Sequence, residues 1–151
     1  MPDILHLLPI EAAPRKIFEA LSTAEGVRAW WTRDADLGTK VGDHGEFRFP
    51  KYGPHAITRV TIETLDAPRR VEWTCTSSFY TEWQGTTISF GLKPSDGRTL
   101  LFFTHCGYPR ADETFALFNM GWAYYLVSLK RYVETGTGAP SPDVDFFQMI
   151  G

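Results

Sequence analysis

From Asp112 to Glu134 the chain reads DETFALFNMGWAYYLVSLKRYVE, and this stretch decides the fold. Phe115, Phe118, Trp122, Tyr125, Leu126, Leu129 and Val133 recur at spacings of three and four, the period of a helix with one apolar stripe. Gly136 and Gly138 follow it, the residue type that ends helices. A helix of this length needs a broad apolar surface to lie on. The residues upstream predict a sheet.

Thr99 to Cys106 predicts a strand with Leu101, Phe103 and His105 in phase. Pro94-Ser95-Asp96-Gly97 before it is a tight hairpin connection. Gln84 to Leu92 alternates Ile88, Phe90 and Leu92 with smaller residues, and Val71, Trp73 and Cys75 alternate with Glu72 and Thr74. Ala56 to Leu65 is rich in Thr, Ile and Val and ends on the turn signal Asp66-Ala67-Pro68. Phe47 and Phe49 alternate with Glu46 and Arg48, between a Gly38–Gly42–Gly45 loop and a turn over residues 50–54. At the N-terminus, Ile4 to Pro9 is a short apolar strand. Pro14 opens a helix carrying Ile17, Phe18 and Leu21, and Ser22-Thr23 caps a second helix ending about Trp31. Hairpin-length connections make the central run antiparallel. The expected architecture is α+β: a curved antiparallel six-stranded sheet around a long C-terminal helix, with two short N-terminal helices.

The chain has 151 residues, enough for one domain with a real core. Residues 1–138 are read as that domain. Residues 139–151 are read as a tail, Pro-rich at its start and carrying Phe146, Phe147, Met149 and Ile150 at its end, expected to pack on the domain or on a partner subunit. A formal charge of −3, with Arg69-Arg70 the only tight basic cluster, argues against a nucleic-acid partner. Cys75 and Cys106 fall on strands expected to lie two positions apart, about 10 Å, which exceeds disulfide reach. Unpaired thiols suit a reducing cytosol. No signal-peptide pattern occurs in Met1 to Ile10, and no run approaches transmembrane length. A cytoplasmic protein with no membrane partner is expected.

Several ordered elements together resemble a known family. They are Ile10-Glu11-Ala12-Ala13-Pro14 through Phe18-Glu19-Ala20-Leu21, then Trp30-Trp31, Val41-Gly42-Asp43 and Pro68-Arg69-Arg70-Val71-Glu72-Trp73. Gly97-Arg98-Thr99 with His105 follows, then Gly121-Trp122 with Leu126, Leu129-Lys130, Tyr132 and Gly136. The chain resembles the bacterial branch of the START-like (SRPBCC) superfamily, similar to the activator of the ninety-kilodalton heat-shock chaperone ATPase. The resemblance spans about Ile4 to Gly136. It implies a helix-grip fold, in which the sheet grips the C-terminal helix over an apolar cavity. It implies a broad range of functions: lipid and sterol carriers, hormone binders, aromatic polyketide cyclases and chaperone activators. It brings no shared catalytic motif.

Aromatic residues make up 15% of the chain, and large rings both fill cores and line apolar pockets. The expected cavity is lined by Phe47, Phe49, Trp73, Tyr80, Trp83, Ile88, Phe90 and Phe103 from the sheet side. Phe118, Trp122 and Tyr125 face them from the helix, Trp31 stands at the mouth, and Asn119 and His105 are polar candidates. For Trp30 and Trp31 singly, ordinary packing is the better expectation. His105 reads more readily as a hydrogen-bonded structural histidine than as an acid-base group, and Glu72 and Glu82 as solvated. His6, His44 and His55 have no metal-ligand spacing. No nucleophile elbow, phosphate loop or dinucleotide fingerprint is present. No catalytic residue, metal or cofactor is expected. The leading expectation is a non-enzymatic binder of a small hydrophobic or aromatic molecule. A cyclase- or hydrolase-like enzyme and a chaperone-contact module are the alternatives, with a homodimer as a further option.

Overall fold

The computed structural model describes residues 1–144. Asp145 to Gly151 lie outside the described residues, and with them Phe146, Phe147, Met149 and Ile150. The elements in chain order are β1 (Ile4–Ile10), α1 (Pro14–Ser22), α2 (Ala24–Trp30), β2 (Asp34–Leu37), β3 (His44–Arg48), β4 (Ile57–Asp66), β5 (Arg70–Ser78), β6 (Thr87–Ser95), β7 (Arg98–Cys106) and α3 (Glu113–Thr135). Single 3-10 turns occupy Pro50–Tyr52 and Thr81–Trp83. The strands form one antiparallel sheet in the order β1-β7-β6-β5-β4-β3-β2. This is the helix-grip architecture.

The sheet has seven strands where the sequence predicts six. The additional strand is β2, four residues of which two are Asp, a residue depleted in strands. Arg48 on β3 holds it from across the pair. Its guanidinium reaches Asp34 at 2.7 Å, Asp36 at 2.7 Å and Glu46 at 2.9 Å. Phe49, expected on the β3 strand, lies just past its end.

Strands β1 and β2 are the two edges of the sheet, so the chain between them must cross its whole width. Helices α1 and α2 make that crossing. Thr23 caps α2 by accepting from the Gly26 amide at 3.0 Å. The β6–β7 hairpin turns through Asp96 (φ 50°) and Gly97 (φ 80°), both left-handed, as a type I′ turn requires.

Helix α3 is capped by Asp112, which accepts from the Phe115 amide at 3.0 Å, and ends at Gly136 in the left-handed region (φ 90°). Its C-terminal half is pinned. Leu126, Leu129 and Val133 are buried, Lys130 donates to the Pro9 carbonyl at 2.8 Å, and Glu134 accepts the Glu11 amide at 2.7 Å. Ser128 bridges two segments, donating to the Trp30 carbonyl (2.7 Å) and accepting from the Ala139 amide (2.8 Å). The first residues of the tail are therefore docked: Ala139 and Ser141 are buried, and Thr32 and Ser141 form a parallel bridge. Cys75 on β5 and Cys106 on β7 are both free, with β6 between their strands as the alternation predicts. Among the described residues no helix is long and apolar enough to cross a membrane.

Candidate functional site: an aromatic cleft beside a filled core

The concave face of the sheet is filled rather than hollow. Phe47, Trp73, Ile88, Phe90 and Phe103 are all 0% exposed. Their rings touch in sequence: Trp73 to Phe90 at 5.3 Å, Phe90 to Phe103 at 5.3 Å, and Phe103 to Trp122 of α3 at 4.5 Å between centroids. Trp31, at the end of α2, is the hub. It lies 4.6 Å from Phe47, 5.1 Å from Trp122 and 6.3 Å from Trp73, the last pair parallel within 4°. Pairs at these separations contribute beyond their buried area. The enclosed void that the resemblance implies is occupied by these rings.

What remains open is a cleft where the N-terminal half of α3 rises over the ends of β4 and β5. Its walls are Trp31, Phe49, Tyr52, Thr58, Phe79, Tyr80, Trp83, Leu117, Phe118, Gly121, Trp122 and Tyr125. Its volume is about 50 Å³, and one side opens to solvent. No charged side chain lines it. The Thr58 hydroxyl is already engaged by Ser78 at 2.9 Å. Burial pushes the Tyr80 phenol up to about 12, so it stays neutral. Among the described residues, the buried indole N–H groups of Trp73 and Trp83 have no acceptor.

His105 stands behind the cleft. It is fully buried, and burial pushes it down to about 3, so the ring is neutral. Trp122 donates its indole N–H to Nδ1 at 3.0 Å, and Tyr108 Oη lies 2.8 Å from the same nitrogen. An indole nitrogen can only donate, so Nδ1 must be the acceptor and the proton resides on Nε2. Nε2–H then donates to Thr86 Oγ at 2.7 Å, and Thr86 passes its own proton to the Trp83 carbonyl at 2.5 Å. Every polar atom of the imidazole is spent. The histidine fixes Trp122 and the backbone of Trp83 and has no lone pair or proton left for a substrate.

Of the residues the sequence singles out, Trp31, Phe49, Tyr80, Trp83, Phe118, Trp122 and Tyr125 are brought together on the cleft wall. Phe47, Trp73, Ile88, Phe90 and Phe103 are solid core, and His105 is a buried structural histidine. Asn119 is exposed and points away from the cleft residues, since it falls one position past Phe118 on the helix. Glu72 pairs with Arg70 at 2.8 Å and Glu82 accepts from Thr81 at 3.0 Å; neither lines the cleft. The sequence reading misses Tyr52, Thr58, Phe79, Leu117 and Gly121. Gly121 and Leu117 were findable as the residues four and eight positions before Tyr125, on the same helix face. Tyr52 and Phe79 sit in turns, where no periodicity marks an inward side.

The family model described as Activator of Hsp90 ATPase homolog 1-like protein matches residues 11–134. The solution structure of the Aha1 dimer from Colwellia psychrerythraea is similar at 34% identity and a TM-score of 0.81, covering 91% of this chain and 100% of that one. Protein SSP2350 from Staphylococcus saprophyticus is similar at 22% identity and 0.74, covering 91% and 95%. DynU16, from the dynemicin biosynthetic locus, is similar at 16% identity and 0.74, covering 91% of this chain and 49% of that one. The last two likenesses show the fold alone. No curated protein matches the chain. With its match covering most of the domain, the chain belongs to the Activator of Hsp90 ATPase homolog 1-like family, of the START-like type.

Proposed function

We propose that the protein binds a small apolar or aromatic molecule in the aromatic cleft, without chemistry. The observation that carries this is a solvent-open cleft walled by seven rings of the sequence-predicted set, with no charged side chain. A cavity of roughly 150 Å³ is needed to hold a benzene-sized guest. At about 50 Å³ the cleft as it stands admits only part of one ring, so a one-ring ligand would need a wall side chain to give way. A sterol or long lipid does not fit. An acceptor on that ligand would answer the buried Trp83 N–H, an unmet donor being costly. A cyclase or hydrolase reading has no support at this site, because its one imidazole is spent and its carboxylates lie elsewhere. The two free thiols fit a reducing compartment such as the cytoplasm.

Titration with N-phenyl-1-naphthylamine tests this reading. Saturable one-to-one binding is expected, with NMR shifts of the Trp31, Trp83 and Trp122 indole N–H signals. Gly121→Leu, which sets a side chain on the cleft wall, should weaken binding about tenfold, or 1.4 kcal/mol. Absence of saturable binding at about millimolar probe, near 4 kcal/mol of affinity, sinks the proposal.

A second reading is a protein-contact module, favoured by an apolar strip on the opposite face. Leu5 and Leu7 on β1 are 57% and 65% exposed, and Phe102, paired with Leu7 across β1–β7, is 48% exposed. A strip of this kind marks contact surfaces. The similar Colwellia protein is a dimer, and this face would serve a second copy or a chaperone. Light scattering of wild type and Leu7→Lys decides the homodimer: a dimer mass that falls to monomer supports it, and a monomeric wild type rules it out.

A further inference from the structure

We infer that β1 pairs edge to edge with β1 of a second copy of the chain, antiparallel and centred on His6, joining two seven-stranded sheets into one. The inference rests on the protein-contact reading above and deepens it, naming the partner and the mode of contact.

Hydrogen bonds at the two ends of β1 fix which of its backbone groups face outward. The Gly107 amide donates to the Asp3 carboxylate at 3.1 Å, so the backbone groups of β7 face β1 at its odd-numbered positions. Leu101, Phe103 and His105 are those positions, and their partners Leu8, His6 and Ile4 turn their own N–H and C=O groups inward to them. Pro9 has the other parity, and its carbonyl is taken instead by Lys130 at 2.8 Å. Leu5 and Leu7 share the parity of Pro9. Each points an N–H and a C=O at the open edge, with no partner among the described residues. The opposite edge is guarded: β2 is four residues long with two Asp, and Thr32 beside it bridges Ser141. Short strands, charges and proline are the usual protection of an edge. The middle of β1 has none of these and carries Leu5 and Leu7 instead.

A second copy fits this edge because the edge is complementary to itself. A two-fold axis at His6 sets Leu5 opposite Leu7 of the second copy, and Leu7 opposite its Leu5. Both are hydrogen-bonded pairs, so every outward N–H and C=O of the two leucines is matched. The ladder then stops where it must, since Pro9 has no N–H to offer and its carbonyl is occupied. The same operation brings the exposed Leu5, Leu7 and Phe102 of the two copies into one apolar strip on the outer face. Charge agrees as well. Asp3 falls opposite Pro9 of the second copy, beside that copy's Lys130. Lys130 spends two of its three N–H donors on Pro9 and Glu134, which leaves one for a carboxylate. Symmetry repeats this acid–ammonium match at both ends of the ladder.

The test uses the full chain at about millimolar and about micromolar concentration. Light scattering should give a dimer mass at the higher concentration. Amide hydrogen exchange at Leu5 and Leu7 should be at least about tenfold slower in the dimer than in the monomer. A nuclear Overhauser contact between the Ile4 and Leu8 Hα atoms is expected, because the two-fold axis sets these residues opposite each other across the copies. Within one extended strand they lie about 13 Å apart, too far for such a contact. Leu7→Pro removes one outward N–H at an edge position, where proline is tolerated, and should give the monomer mass. Both wild-type readouts decide the matter even where that variant does not fold. A monomer at both concentrations overturns the inference together with the homodimer, and leaves the contact reading with a chaperone alone. A dimer whose Leu5 and Leu7 amides exchange as fast as in the monomer overturns edge pairing and leaves the second copy on the outer face. Protected amides without the Ile4–Leu8 contact overturn the pairing centred on His6.

Discussion

The indole N–H of Trp122 donates to Nδ1 of His105 over 3.0 Å, joining a wall of the cleft to a histidine that never reaches it. Because that bond sets the tautomer, it also commits Nε2–H to Thr86, and Thr86 to the Trp83 carbonyl. One neutral imidazole thus positions a ring on α3 and the turn that carries the opposing indole. Trp83 and Trp122 stack at 5.7 Å within 13° of parallel as a result.

That arrangement gives a signed pH dependence. His105 is pushed down by burial from 6.5 to about 3, so the unfolded chain binds the extra proton across that window. Stability is complete above about pH 6.5 and falls on acidification toward pH 3, at up to about 1.4 kcal/mol per pH unit. Between pH 7 and 5 the wild type should lose roughly 1–2 kcal/mol in urea unfolding. His105→Gln, though less stable throughout, should show a flatter slope over the same interval. Parallel slopes would mean that His105 does not carry the effect.

Trp31→Ala should cost about 3–5 kcal/mol, the range for removing a large buried ring. Trp31 is 2% exposed and touches Phe47, Trp73 and Trp122, so its loss leaves a void that those rings cannot close. Chemical denaturation measures it; a loss below about 1 kcal/mol would contradict the hub role.

Gly26→Ala should destabilise, against the usual gain of about 1 kcal/mol from replacing glycine in a helix. A Cβ there would fall 2.4 Å from the Ala20 carbonyl oxygen and 2.6 Å from its Cα, backbone atoms that cannot swing aside. A loss of about 1–3 kcal/mol by thermal melting is expected, as for other overpacked sites.

The two thiols should separate kinetically. Cys75 is fully buried and pushed up to about 11 by that burial, while Cys106 is partly exposed. Only thiolate reacts with disulfide reagents. Native protein should therefore label at Cys106 and spare Cys75, and denatured non-reduced protein should titrate two groups. A single group in the denatured count would mean the thiols are not both free.

The sequence by itself determined the local elements and their order. The three-and-four spacing from Phe115 to Val133 is enough for α3, the alternation around Trp73 and Phe90 for the strands, and Asp96-Gly97 for the hairpin, because each depends on backbone period and turn chemistry within a few residues. The cap at Ser22-Thr23 was legible for the same reason. Strand β2 was not, since its two Asp residues are held by cations distant in sequence: Arg48, fourteen positions from Asp34, and Arg28, which pairs with Asp36. The cleft was half legible. Periodicity says that Phe103, Trp122 and Trp73 point inward; it cannot say whether inward rings leave a void or fill it. That was decided by the packing of side chains from distant elements, which filled the interior around Trp73, Phe90 and Phe103 and left a cleft where turns at Tyr52 and Phe79 meet the first half of α3.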